Sequence, residues 1–193
     1  MYSVVNRLAR IMAMTGGLVL MALVILTCVS ITGRVLNGFL HLDWVETLPF
    51  AASRWLIDAG VGPVNGDFEI LEAGVAFAIF SFLPICQLYG AHATVDVFTS
   101  FLSDRANRVI AAVWEVVLAG AIVLISWRLF EGFLDRYENG QTSWLLQFPL
   151  WWSYLASWIA SAVAAIVGVY CAVARIGESL TGRPILPAGG TVE

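Results

Sequence analysis

The sequence predicts an all-α integral membrane protein with four transmembrane helices and two short amphipathic interfacial helices. Hydrophobic residues make up 60% and charged residues 12% of its 193 positions, whereas soluble globular proteins contain about 45–50% and about 25%. Four long stretches carry almost no charge, and each approaches or exceeds the roughly 20 residues that an α-helix needs to cross a bilayer. We therefore treat residues 1–193 as a single membrane domain.

The first predicted span covers about residues 11–32. It is uncharged, and it is flanked by Arg7 and Arg10 before it and by Arg34 after it. A signal peptide is the competing interpretation, but the stretch is too long for one and no small-residue cleavage site follows it. We expect a transmembrane helix.

The second predicted span covers about residues 70–88. Glu69 and Glu72 lie in its first turn, where the helix dipole favours negative charge. Pro84 lies near its end and is expected to kink or end the helix, which membrane helices tolerate when neighbouring groups satisfy the freed carbonyl.

The third predicted span, about residues 109–127, lies between Arg108 and Arg128 and contains one charged residue, Glu115. Ionisable side chains inside a membrane span are costly and mark functional or structural contacts. Three interpretations of Glu115 stay open: an ion or proton site, a polar anchor that holds a partner or a neighbouring helix, and a carboxylate that reaches the cytoplasmic edge.

The fourth predicted span covers about residues 149–174. No charged residue occurs between Glu138 and Arg175. Trp151 and Trp152 at its start are typical of the aromatic belt at a membrane interface.

Two connections, about residues 47–60 and 94–102, carry apolar residues at helical spacing. Neither is long enough to cross a bilayer. We expect both to form amphipathic helices that lie in the interface or against a partner, the first with Trp55 on its apolar face.

The arginines predict the orientation of the chain. Four spans place the two termini and the second connection on one side of the membrane. The side with the termini carries Arg7, Arg10, Arg105, Arg108, Arg175 and Arg183, and the other side carries Arg34, Arg54, Arg128 and Arg136. Because basic residues favour the cytoplasmic side, both termini are expected in the cytoplasm.

The sequence lacks the patterns of an enzyme or a metalloprotein. Its two histidines, His41 and His92, both lie in connections, so a haem held between helices is excluded, and no His, Cys, Asp or Glu cluster has metal-ligand spacing. A net charge of −4 without a basic run argues against nucleic acid as a partner. Four spans without a visible internal repeat also make a poor transporter on their own. We expect neither catalysis nor a cofactor.

Three motifs resemble the small membrane subunit, of DctQ type, of tripartite ATP-independent periplasmic (TRAP) transporters. They are GDFEILE at 66–72 followed by a span that ends near Pro84, QLYGAHATVDV at 87–97, and GQT at 140–142 followed by FPLW at 148–151. Arg34, just after the first span, also has a parallel in that family. The resemblance covers nearly the whole chain in order and in number of spans.

The resemblance implies a non-catalytic scaffold beside a large multi-span membrane subunit. That partner moves the substrate, typically an organic acid, together with sodium, and a periplasmic substrate-binding protein delivers the substrate; sodium would bind the partner and not this chain. Candidate interface or structural residues are Arg34, Trp55, Glu69, Glu72, Pro84, His92, Asp96 and Glu115. For Glu69, Glu72, His92 and Asp96, a role limited to capping and positioning helices stays open.

One departure from the family is the connection of residues 35–66, which is longer than in its simpler members, and its role is open. The alternative function is a stand-alone four-span membrane protein of assembly or signalling type without transport coupling. A neighbouring gene for a protein of about a dozen spans would favour the transporter.

Overall fold

The protein, described as a computed structural model for residues 2–41, 62–90 and 104–181, consists of four long helices. Their bounds are α1 Tyr2–Leu40, α2 Asp67–Leu88, α3 Asp104–Asn139 and α4 Trp151–Thr181. All four are long and apolar enough to cross a membrane. The prediction of an all-α protein with four potential membrane-spanning helices is therefore confirmed. The two predicted amphipathic helices, at 47–60 and 94–102, lie outside the described residues.

All four helices are longer than the apolar stretches from which the spans were predicted. At 1.5 Å per residue, α1 is about 58 Å long and α3 about 54 Å, whereas the hydrocarbon core is about 30 Å thick. Backbone hydrogen bonding continues past the apolar stretch into charged flanks, so that Arg34 lies in α1, Arg136 in α3 and Arg175 in α4. Hydropathy therefore did not predict where the helices begin and end.

The helices pack as two antiparallel pairs, α1 with α2 and α3 with α4. Helix α4 is central, because it also contacts α2 and, less extensively, α1. We call the end of the bundle that holds Leu40 and Asp67 the outer end, and the opposite end the inner end. At the outer end of the second pair, the ring of Trp151 lies 6.3 Å from Phe133 and 5.6 Å from Tyr137 between centroids, which places the predicted aromatic cluster between α3 and α4.

Small residues bring α1 and α2 close together. A Cβ atom added at Gly16 would lie 2.6 Å from the Cβ atom of Ser81, and one added at Gly74 would lie 2.8 Å from a methyl group of Leu23. Both distances are shorter than real contacts, so the two backbones approach as closely as they do only because these positions lack side chains. Close approach of this kind is a common basis of helix association in membranes.

A buried apolar cluster joins α1, α2 and α4 at the inner end. Its fully or nearly fully buried members are Ala9, Leu88, Val167, Cys171 and Ala174. Pro84 lies just before it, buried inside α2. Of the two expectations for Pro84, a kink or the end of the helix, the second is wrong, since α2 continues to Leu88.

Candidate functional site at the outer end of the bundle

Asp67, the first residue of α2, ties that helix to α1. The hydroxyl of Ser30 donates a hydrogen bond to its carboxylate, and Arg34 Nη2 lies 3.7 Å from the same carboxylate oxygen. The backbone N–H of Val64 in turn donates to Ser30 Oγ over 3.3 Å. The Arg34 side chain is 67% exposed, and exposed ion pairs contribute little, so the buried Ser30 carries most of this junction.

Two glycines make the outer junction possible. A Cβ atom at Gly33 of α1 would collide with the carbonyl oxygen of Gly62, and a Cβ atom at Gly66 would collide with the side chain of Leu146. Gly66 also has a φ of 76°, which residues with a Cβ rarely adopt. Residues 62–66, just before α2, therefore lie against α1 at Gly33 and against the α3–α4 loop at Gly66.

Glu69, in the first turn of α2, holds the connection between α3 and α4. Its Oε1 accepts a hydrogen bond from the backbone N–H of Leu145 over 2.7 Å, and its Oε2 accepts one from Leu146 over 3.0 Å. An ionised carboxylate that accepts two backbone N–H groups makes two charge-assisted bonds. Glu69 thereby fixes the position of a loop 76 residues further along the chain.

The loop that Glu69 holds has a defined shape of its own. The N–H of Ser143 donates to the carbonyl of Phe148, and the N–H of Leu150 donates to the carbonyl of Gln141, each over 3.0 Å. Gly140 ends α3 with a φ of 59°, as is usual after a helix. The GQT and FPLW motif, at 140–142 and 148–151, therefore forms the base of this closed loop. Glu69 of the GDFEILE motif supplies the carboxylate that binds the loop tip.

A cleft of about 450 Å³ opens beside this loop, between the outer ends of α2, α3 and α4. Glu72 lies on one wall, and Arg136 lies on another with its guanidinium group 5.6 Å from the ring centroid of Tyr154. Trp144 at the loop tip is 95% exposed. The cleft therefore brings the carboxylates of Glu69 and Glu72 on α2 and the guanidinium group of Arg136 on α3 to one lining. Within the described ranges, no group of three or more His, Cys, Asp or Glu residues is placed to hold a metal ion.

A second group of charged residues lies at the inner end. Glu115 of α3 is 8% exposed and lies within electrostatic range of Cys171 and Arg175 of α4. Arg175 Nη1 donates to the carboxylate of Glu178 over 2.9 Å. Because Cys171 packs in the cluster that holds Leu88, the last residue of α2, Glu115 lies near the inner end of the bundle and not at its middle.

The structure therefore divides the predicted site residues into three groups. Arg34, Glu69 and Glu72 come together at the outer end, and among the described residues the first two have hydrogen-bond or ion-pair partners on another element. Pro84 and Glu115 lie towards the inner end. The predicted residues Trp55, His92 and Asp96 lie outside the described part of the chain. The roles of all eight stay predictions.

Sequence reasoning missed the residues that complete the outer junction. Asp67 stands inside the first motif, yet Glu69 and Glu72 drew attention because they open the apolar stretch. Ser30 lies within the first span and gave no signal, since a lone serine is unremarkable in a membrane helix. The available clue was that Asp67 precedes the second span and Arg34 follows the first. A four-span topology places these two charged residues on the same side of the membrane.

Comparison with protein families agrees with this architecture. The chain matches the family model described as tripartite ATP-independent periplasmic transporters, DctQ component, over residues 23–177, which is about four fifths of its length and includes part or all of every helix. No curated protein and no solved structure matches it. With four helices long enough to cross a membrane, the chain therefore belongs to the DctQ family, the small membrane component of TRAP transporters.

Proposed function

We propose that this protein is the non-catalytic scaffold of a sodium-driven, binding-protein-dependent importer of an organic acid or a similar small solute. The family match over residues 23–177 is the observation that carries this proposal. In this function the chain holds a large multi-span membrane subunit in the bilayer. The large subunit binds sodium and moves the solute, and a periplasmic substrate-binding protein delivers it.

The distribution of polar contacts supports a scaffold role. Polar side chains such as Ser30, Asp67 and Glu69 connect helices and loops to one another at the outer end, and Tyr89 donates to Asn6 at the inner end. A transporter that worked alone would instead place polar groups around a route through the middle of the membrane. The buried carboxylate of Glu115 lies against α4 near the inner end, where we propose that it anchors the two helices.

The outer end faces the periplasm in this proposal, with both termini in the cytoplasm of a bacterial inner membrane. The excess of arginine on the side of the termini supports this orientation. The loop that ends in Trp144 then lies on the side where a soluble binding protein must dock.

Reconstitution tests the proposal. Liposomes are prepared with this chain alone, with the large membrane subunit alone, and with both, and solute uptake is measured in the presence of the binding protein with and without an inward sodium gradient. We expect uptake of an organic acid only with both chains and only with the gradient. Uptake by this chain alone would contradict the scaffold role, and failure of the two chains to copurify would contradict the assembly.

A further inference from the structure

An ion pair on α3 points away from the rest of the bundle. Arg128 Nη1 donates to Glu131 Oε2 over 2.8 Å, and Trp127 Nε1 donates to Glu131 Oε1 over 2.8 Å. The side chains of Arg128 and Glu131 are 74% and 48% exposed. Among the described residues, the guanidinium group of Arg128 makes no second ion pair, so most of its N–H groups face outwards without a carboxylate.

The ion pair lies on the face of α3 opposite α4. The buried residues of α3 follow one side of the helix, and they are Ala112, Glu115, Ala119, Ile122 and Ser126. At 100° per residue, Arg128 and Glu131 lie on the other side, in line with Val117 and Leu124. Those two apolar residues are 53% and 62% exposed. We call the surface formed by Val117, Leu124, Arg128 and Glu131 the α3 outward face.

The ion pair lies at a depth where lipid would surround it. Leu129, next to Arg128, lines the same cleft as Ala76, and Ala76 lies about 13 Å along α2 from Asp67. Phe130 packs on Trp158 of α4, with 5.0 Å between the ring centroids, and Gly168, ten residues or about 15 Å further along α4, lies against Gln87 of α2. Phe130 is therefore level with about the middle of α2. Because α2 is long and apolar enough to cross a membrane, Arg128 and Glu131 lie within the thickness of the bilayer, although the sequence placed Arg128 at the end of the third span.

Charged groups exposed to lipid at this depth are unfavourable, and such groups in membrane proteins face protein. A neighbouring membrane chain that offers carboxylate or carbonyl oxygens would satisfy the free guanidinium N–H groups. Gly120 leaves the same face without a side chain at its position, and no atom lies within 4 Å of an added Cβ there. A glycine on an exposed helix face allows another helix to approach closely.

We propose that the α3 outward face is the surface that binds the large membrane subunit, and that Arg128 donates hydrogen bonds to an oxygen acceptor of that subunit. The proposal rests on the function proposed above and adds the location of the interface. The exposed face of α4 provides a contrast within the same chain. Ile159, Ile166 and Val173 there are 48%, 62% and 65% exposed and carry no charge, so we assign that face to lipid.

Photo-crosslinking tests the location. The photoreactive amino acid p-benzoylphenylalanine is placed at Leu124 on the proposed interface or at Ile166 on the apolar face of α4, each in full-length chain coexpressed with the large subunit. The two positions match in residue class and exposure, 62% for each. We expect a crosslink to the large subunit from Leu124 and not from Ile166.

Substitution of the charge tests the contact. Removing one partner of a desolvated charge pair should weaken the complex by roughly 30-fold or more, so we expect R128L to lower the recovery of the large subunit in pull-downs. R10L removes an exposed arginine of α1 and serves as the control, with wild-type recovery expected. The yield and thermal midpoint of each variant alone show whether the chain still folds.

The outcomes separate the two proposals. If the unmodified chain does not copurify with the large subunit, the proposed function is wrong. If it copurifies but Leu124 crosslinks only to lipid or to a second copy of this chain, or if R128L binds like the wild type, the function stands and the assignment of the α3 outward face is wrong.

Discussion

Glu69 and Glu72 lie within one turn of α2 but make different contacts. Both open the apolar part of α2, and both were predicted as candidate interface or structural residues. Glu69 accepts two backbone hydrogen bonds from the α3–α4 loop, whereas Glu72 is exposed on the wall of the cleft. The difference arises because Glu72 lies three residues, or about 4.5 Å, further along α2 from the loop.

We predict that E69A loosens the loop and E72A does not. Hydrogen bonds to charged groups contribute about 1.5–3 kcal/mol each, so loss of the carboxylate should speed amide hydrogen exchange at Leu145 and Leu146 by about tenfold or more. Exchange followed by mass spectrometry on the chain in lipid nanodiscs measures this change.

The comparison of the two variants is internally controlled, because each removes the same group from the same helix turn. Equal exchange at the loop in E69A and in the wild-type chain would mean that the loop keeps its shape through its own backbone hydrogen bonds. In that case Glu69 would be free to bind a partner.

At the scale of the helix, adjacent glycines of α1 have different environments. A Cβ at Gly16 would lie 2.6 Å from the Cβ of Ser81, whereas a Cβ at Gly17 would make only an ordinary contact, 3.9 Å from the ring of Phe82. Of these two glycines, Gly16 is therefore the one that allows the close approach of α2.

We predict that G16A destabilises the packing of α1 on α2 and that G17A does not. An added methyl group in a tight interface costs about 1–3 kcal/mol, whereas alanine in place of glycine favours a helix by up to about 1 kcal/mol. Denaturant titration of the chain in mixed micelles measures the free energy of unfolding. Equal stability of the two variants would show that α1 moves away from Ser81 at little cost, and that the close contact does not hold this pair together.

At the scale of the whole molecule, orientation in the membrane decides which surfaces can meet which partners. We predict both termini in the cytoplasm, because six of the ten arginines lie on the side of the termini. Alkaline phosphatase fused after Glu193 should be inactive, and the same reporter within residues 35–66 should be active, since this enzyme folds only in the periplasm. If both fusions were active, or both inactive, the two sites would lie on the same side of the membrane and the four-span arrangement would be wrong.

The number and order of the helices were predictable because hydropathy is a property of each stretch of chain and needs no partner. The same reasoning placed Arg34 and Glu69 at the outer boundary. It did not predict that Asp67 receives a hydrogen bond from Ser30, 37 residues earlier, since contacts between helices depend on how each helix rotates about its axis. The helix ends were also missed, because backbone hydrogen bonding extends beyond the apolar stretch.

The sequence by itself determined that this chain is a four-helix membrane protein, and its short motifs were enough to indicate the TRAP transporter family. Both depend on local composition and local order. Only the tertiary structure decided that Glu69 binds the α3–α4 loop, that Glu115 faces α4 near the inner end, and that Arg128 and Glu131 face away from the bundle. The physical reason is that the helices are apolar on most sides, so hydropathy hardly distinguishes their faces. Close packing at glycines and a few polar contacts set their rotation instead.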